Sequence, residues 1–266
     1  MSVQTLYTAA TGMESLQTKL DVIANNLANV NTTGFKRGRA NFEDLFYRQE
    51  KLPGSQDQQQ NLTATGTAIG LGSRVSSVQT NFNQGAFQET GGQLDVAIEG
   101  QGFLRVQDPS GITVYSRAGN LSINAQGQLV MGSAQTGRLI DPNVSFPQDT
   151  MAISITADGR VLVRQFGQQD LQQIAQIQLA TFPNPEGLLK LGENLYSQTD
   201  ASGQEIVDNP GNQGIGVLRQ GMLEASNVEP VQELIDLITT QRSFELNSQA
   251  IQAGDQILQL ISNLRR

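Results

Sequence analysis

The sequence has no cysteine, no histidine and no tryptophan in 266 residues, and only 16% of its positions are charged. Without cysteine there is no disulfide framework, thiolate nucleophile, iron–sulfur cluster or thiolate zinc site. Without histidine the commonest general base and the commonest metal ligand are both missing. Serine, lysine and carboxylate chemistry remain as enzymatic options. Positive charge is also short: 17 Lys and Arg against 25 Asp and Glu leave a formal charge of −8, the wrong sign for binding the phosphate backbone of nucleic acid. No apolar run approaches the roughly 20 residues that cross a bilayer, so the chain is not expected to be membrane-embedded. The opening Met1-Ser2-Val3-Gln4-Thr5-Leu6-Tyr7 has no basic n-region, so no cleavable signal peptide is expected. Aromatic residues make up 5% of the chain, which points to less burial per residue than in a compact enzyme.

What is present is periodicity at the two ends. Leu6, Ala9, Met13, Leu16, Leu20, Ile23, Leu27 and Val30 recur at steps of three and four, a heptad stripe on a helix. Gly12 weakens that helix by about 1 kcal/mol relative to Ala. Gly34, in Asn31-Thr32-Thr33-Gly34, can take the left-handed conformation that closes it. At the other end, Ser226 or Asn227 can cap a second helix. Pro230 is tolerated in its first turn, Glu229 and Glu233 suit its positive end, and Arg265-Arg266 its negative end. This helix carries two stripes. Leu246, Ala250, Ala253, Ile257, Leu260 and Leu264 form one, while Leu237, Phe244, Ile251 and Leu258 repeat every seven on another side. One partner helix cannot cover both. The uncovered face either packs on the protein's own middle section or meets other copies of the chain.

Between the ends the pattern changes to short alternating runs broken by turn residues. Leu94 to Ile98 and Phe103 to Val106 flank Gly100-Gln101-Gly102. Ser122 to Val130 and Ser154 to Val163 look like two copies of one hairpin design, and Ile174 to Leu179 reads as a further strand. The expected architecture is therefore α+β: terminal helices pairing as a coiled coil, with an inserted antiparallel β domain and extended linkers. The boundaries read as helices within 1–35 and 223–266, a linker and β-hairpin region at 36–93 and 199–222, and a β domain at 94–198. The Gln-rich stretch after Pro53 has almost no aliphatic content and is expected to be extended or disordered on its own.

The motifs for chemistry fail on their own terms. Gly70-Leu71-Gly72-Ser73 lacks the third glycine of a dinucleotide loop, and Gly214-Ile215-Gly216 has Arg219 where that glycine would stand. Asp95 and Glu99 would lie about 13 Å apart along a strand, too far for paired acid–base work. No nucleophile elbow or SxxK motif frames a serine. No enzyme activity, cofactor or metal is expected. Asn25, Asn26 and Asn29 are different, because asparagine is a poor mid-helix residue whose amide competes for backbone groups. Three within five positions imply side-chain amides bonded between packed helices.

Those residues carry a family resemblance. Asn25-Asn26-Leu27-Ala28-Asn29 with Thr33-Gly34-Phe35-Lys36 resembles the amino-terminal signature of bacterial flagellar axial proteins of the rod and hook family. Leu223-Glu224-Ala225-Ser226-Asn227-Val228, Leu237-Ile238 and Gln241-Arg242-Ser243-Phe244-Glu245-Leu246-Asn247-Ser248 resemble its carboxyl-terminal signature. Asp95-Val96-Ala97-Ile98-Glu99-Gly100-Gln101-Gly102-Phe103 matches between them. Phe244 stands where many relatives have Tyr, which removes a hydroxyl and keeps the packing. The length, Phe42 to Tyr47, the Gln-rich stretch after Pro53 and Gly192 to Tyr196 are most similar to the distal-rod members.

The resemblance implies a structural subunit of the flagellar basal body, exported through the flagellar type III export apparatus. It would polymerise helically into a hollow drive shaft that crosses the periplasm, surrounds the export channel and transmits torque to the hook. Its implied partners are further copies of itself, proximal rod proteins, the hook protein and the peptidoglycan- and outer-membrane-ring proteins. The assembly residues expected in the first helix are Leu6, Met13, Leu16, Leu20, Ile23, Asn25, Asn26, Leu27 and Asn29. Those in the second are Leu237, Gln241, Arg242, Phe244, Asn247, Ile251, Ile257, Leu258 and Leu260. Thr33, Gly34, Phe35 and Pro53 are expected to matter in the linker. A proximal rod or hook-type protein is the alternative inside the family. Outside it, the alternative is a secreted adhesion module with a coiled-coil stalk.

Overall fold

In the computed structural model, residues 3–54, 65–135, 137–167, 170–212 and 214–264 are described. A helix stands at each end, α1 (Val3–Ala28) and α2 (Pro230–Leu264), with short strands between them. The chain divides into two compact units. A helical unit takes its residues from 1–28, 38–79 and 229–266, and a β unit from 29–37 and 80–228. The β unit thus draws in residues on both sides of the 94–198 segment, because the flanking strands find their partners there.

In the helical unit, α1 packs on α2. The buried and half-buried side of α2 runs Glu233, Leu237, Thr240, Phe244, Asn247, Ile251, Gly254, Leu258, alternating steps of four and three that put all eight on one face. The stripe that repeats every seven is therefore the covered one. Gly254 allows close approach, since a Cβ there would stand 2.7 Å from the Leu6 side chain. A Cβ on Gly12 would sit at ordinary contact distance, 3.5 Å, from the Asn247 amide, so packing does not require glycine there. The strand pairs Gly38–Asp44 with Ser73–Thr80 and Tyr47–Lys51 with Thr67–Gly70 belong to the same unit. They root on α1 through Ser15, which donates to the Ser73 carbonyl at 3.2 Å. They also root through Gly72, whose φ of +123° and missing Cβ leave room for Thr11.

Both helix ends differ from the sequence reading. α1 stops at Ala28, and Asn29 closes a turn by accepting the Thr32 N–H at 3.1 Å. Gly34 is left-handed as expected, at φ +71°, but it lies six residues past the helix. α2 begins at Pro230, so neither Ser226 nor Asn227 occupies its cap. The Asn227 amide bonds within the β unit instead. Arg265 and Arg266 lie outside the described residues.

The β unit is built on a nine-stranded sheet in which Phe103–Gln107 is the hub. It pairs antiparallel with Thr113–Ser116 on one side. On the other it meets Arg138–Ile140 at one end and Leu179–Thr181 at the other. The two look-alike hairpins both form, with Leu121–Ile123 against Leu129–Met131 and Thr150–Ile155 against Arg160–Gln165. Each turns on a left-handed glycine, Gly127 or Gly159, as tight hairpins require. The segment from Ile174 to Leu179 is not one strand. Gln172–Gln176 pairs with Arg160–Gln165 and Leu179–Thr181 with the hub. Between them Ile177 is fully buried, its N–H bonded to the Gly159 carbonyl.

Inward residues of these strands, among them Ile98, Leu104, Val106, Leu129, Val161, Val163 and Leu179, make one apolar core. A second cluster joins Phe103, Tyr115, Phe182 and Tyr196 edge to face, with the Tyr115 and Phe182 rings 4.7 Å apart. The strands either side of Gly100-Gln101-Gly102 do not pair with each other. Val96–Glu99 pairs with Val217–Gln220, and the glycines' φ angles of +103° and +140° turn their carbonyls elsewhere.

Candidate functional site

Of the assembly residues expected in the first helix, all but Asn29 lie in α1, which is covered on more than one side. Ile23 and Asn26 are buried, Leu6, Met13, Leu16, Leu20, Leu27 and Asn29 are half-buried, and Asn25 is exposed. Those expected in α2 fall into two groups. Leu237, Phe244, Asn247, Ile251 and Leu258 lie on the covered stripe, with Ile257 half-buried at its margin. Gln241, Arg242 and Leu260 face outward.

That outward side carries an apolar stripe, interrupted by Arg242 and Gln249. Val231, Ile235, Ile238, Leu246 and Leu260 are all exposed, Leu246 at 65% and Leu260 at 62%. At 3.6 residues per turn they fall within an arc of about 80°, roughly opposite the covered stripe. A polar helix face would be the ordinary outcome for a finished surface.

Asn26 is the fixed point of the helical unit. Its amide donates to the Gly38 carbonyl and accepts from the Gly38 N–H, both at 2.9 Å, and reaches Glu233 of α2 at 3.3 Å. Asn26 is 2% exposed and Glu233 1%. One side chain thus ties α1, the strand Gly38–Asp44 and α2. Leaving such groups unpaired in a buried position costs about 1–3 kcal/mol each. The amide bonding expected from the asparagine cluster is realised here, partly to a helix and partly to a strand.

Of the linker residues, Thr33, Gly34 and Phe35 belong to the β unit and Pro53 to the helical unit. The Asn194 side chain donates to the Thr33 carbonyl at 3.0 Å, and the Gly34 N–H donates to the Glu224 carbonyl at 2.8 Å. A Cβ on Gly34 would stand 2.8 Å from the Ala118 nitrogen, and its φ is left-handed, so the position admits glycine. Lys190 lies over the Phe35 ring, 5.7 Å from its centre. Pro53 is exposed at the end of its hairpin arm, and residues 55–64 of the Gln-rich stretch lie outside the described residues.

Sequence reasoning missed three charges inside the β unit. Lys36 and Glu224 are fully buried and Arg117 nearly so. Lys36 Nζ lies 2.7 Å from one Glu224 oxygen and Arg117 Nε lies 3.0 Å from the other. Lys36 also donates to the Asn83 carbonyl at 2.9 Å, and the Gly85 N–H to Glu224 at 2.9 Å. Arg117 spends its remaining donors on the carbonyls of Gly102, Gly100 and Ile98, which explains the direction of the glycine turn. Two cations against one carboxylate leave a net positive charge inside. Burial, with the charge of Arg117, holds the Lys36 ammonium down to about 8 against the opposing pull of Glu224. Burial raises the Tyr196 phenol nearby. The available signal was that Lys36 and Glu224 are lone charges within two of the signature stretches.

Asn227 completes the cluster. It accepts from the Arg37 N–H at 2.7 Å and donates to the carbonyls of Asn81 and Asn83 at 2.9 Å.

Three family descriptions match along the chain. Residues 6–36 match "Flagella basal body rod protein", 97–163 "Flagellar hook protein FlgE/F/G D1 domain" and 219–264 "Flagellar basal body rod FlgEFG protein C-terminal". Each holds one member of the buried triad. Among whole proteins, the chain is 45% identical over 264 residues to the flagellar basal-body rod protein FlgG of Caulobacter vibrioides, covering 99% of this chain and all of that one. It is 44% identical over 261 residues to FlgG of Agrobacterium fabrum, covering 98% of each, and 41% identical over 266 residues to FlgG of Borreliella burgdorferi, covering 99% of each. At this identity over nearly the full length, the chain belongs to the FlgG family of flagellar basal-body rod proteins, which are structural axial subunits and not enzymes.

Proposed function

We infer that this chain is the structural subunit of the flagellar distal rod and that it polymerises helically through its terminal helices. The observation that carries the reading is the outward apolar stripe of α2, Val231, Ile235, Ile238, Leu246 and Leu260, on a helix whose opposite face already meets α1. Burying it against α1 and α2 of neighbouring copies removes apolar surface from water at about 25 cal/mol per Å². Repeated head to tail, such a contact builds an open helix instead of a closed dimer. In the polymer α1 and α2 pair as a coiled coil and their ring encloses the export channel. The β unit meets the peptidoglycan- and outer-membrane-ring proteins. The shaft crosses the periplasm between the proximal rod and the hook protein and carries torque to the hook. The hairpin that ends near Pro53, with the Gln-rich stretch after it, braces neighbouring subunits. Among the described residues no helix is long and apolar enough to cross a membrane, which accords with a shaft that passes through its surroundings without being embedded.

The double variant Leu246→Asp, Leu260→Asp tests the interface. It is expected to abolish filaments of concentrated protein in electron microscopy and to sediment as a monomer, with the β unit folded. Wild-type protein forming only a small closed oligomer, or filaments from the double variant, would refute the reading.

A further inference from the structure

We propose that residues 33–37, 81–85 and 222–228 form a latch that opens and closes on the β unit as one piece, with Lys36, Glu224 and Arg117 as its proton-sensitive bolt. Every point at which the chain passes between the two units, at 28/29, 37/38, 79/80 and 228/229, is close in sequence to one of these segments. Their bonds are shared. Glu224 serves Lys36, Arg117 and the Gly85 N–H, and Asn227 serves Arg37, Asn81 and Asn83. Backbone bonds run from Gly34 N–H to Glu224, from Asn81 N–H to Arg37 and from Ala225 N–H to Ala86. Lifting any one segment strands buried charges or amides of the others, and such groups are costly to leave unpaired. Opening together is therefore cheaper than opening singly.

Closure buries one net positive charge, and this makes the latch respond to protons. The groups facing Lys36 are Glu224 on Met222–Glu224, Arg117 after Thr113–Ser116 and the Asn83 carbonyl, with the Tyr196 phenol electrostatically coupled to the pair. Closed, Lys36 titrates near 8, whereas released to water it returns to its ordinary 10.5. The open state therefore binds the proton more tightly. Closure carries its full penalty below about 8 and becomes more favourable as pH rises towards 10.5. Tyr196 works the other way, because its phenol is raised in the closed state, but only as pH reaches its ordinary value near 10.

Amide hydrogen exchange on the full-length chain tests this. In wild type the amides of Gly34, Arg37, Asn81, Ala225 and Asn227 are expected to share one opening equilibrium, reached more often than that of the amides in Phe103–Gln107. After correction for intrinsic exchange, that opening is expected to become roughly tenfold rarer between about pH 7 and about pH 9. Lys36→Met should keep the common opening and lose its pH response, and Glu224→Gln should raise all five together. If Glu224→Gln does not fold, Lys36→Met alone decides. Five amides opening independently, opening only together with the sheet core, or responding to pH as before in Lys36→Met would each overturn the latch.

Discussion

Among the described residues, Ile23 is the only buried hydrophobic side chain of the helical unit, and every other one belongs to the β unit. The helical unit's other buried side chains, among the described residues, are those of Ser15, Asn26, Glu233 and Thr240. The β unit folds around layers of Val, Ile and Leu whose removal from water drives its closure. The helical unit instead holds its elements in place by specific hydrogen bonds, each worth about 1 kcal/mol net, which fix geometry more than they supply stability. Its helix α2 turns Val231, Ile235, Ile238, Leu246 and Leu260 outward. The β unit closes on an apolar core, whereas the helical unit has almost none and leaves an apolar stripe of α2 exposed.

Experiments can break that contrast. The largest expected effect is in limited proteolysis of the monomer. A resistant fragment should persist across the β unit, while α1 and α2 are cut early, since their sparse burial leaves a smaller margin over the ordering cost of about 1–2 kcal/mol per residue. Helices as resistant as the sheet would end the distinction. Next, Leu104→Ala, at the fully buried centre of the sheet, should destabilise the β unit by about 2–5 kcal/mol in urea titration. A loss well below 1 kcal/mol would mean that the sheet core is not what holds the unit. In the helical unit, Asn26→Ala removes the partner of both Gly38 backbone groups and one bond to Glu233, and should lower helix stability by about 1–3 kcal/mol, followed by far-ultraviolet circular dichroism. At the small end, Leu260→Asp removes a large apolar side chain yet should move monomer stability by no more than about 0.5 kcal/mol. A larger loss would show that the outer stripe already has a partner within the chain.

The same contrast decides what could be read from the sequence. Period 3.6 at the ends and period 2 between them placed both helices and the two look-alike hairpins, because local pattern is the cause of those elements. Which stripe of α2 meets α1 was not legible. The covered stripe includes Glu233 and Gly254, residues that look like interruptions until Asn26's bond to Glu233 and the close approach of Leu6 to Gly254 explain them. The break at Ile177 was hidden because a strand that changes partners keeps an unbroken apolar pattern. The buried triad was hidden for a different reason: Lys36 and Arg117 lie 188 and 107 residues from Glu224, and charges so far apart in sequence leave no spacing to detect. Asn227 read as a helix cap because its side chain suits one, yet three backbone groups of the β unit claim it first.

The pairing of Asn26 with both backbone groups of Gly38 has a consequence for register. A side-chain amide presents the same donor and acceptor as a peptide group, so Asn26 acts as the last rung of a ladder and marks where the strand Gly38–Asp44 begins. A slip of one residue would bring Arg37 or Arg39 to that rung and turn every following side chain, Phe42 and Glu43 included, to the opposite face. It would also move the Glu43 carboxylate away from Arg74 and Ser76 on the neighbouring strand. An asparagine near the end of a helix thus aligns a β-strand that starts twelve residues later.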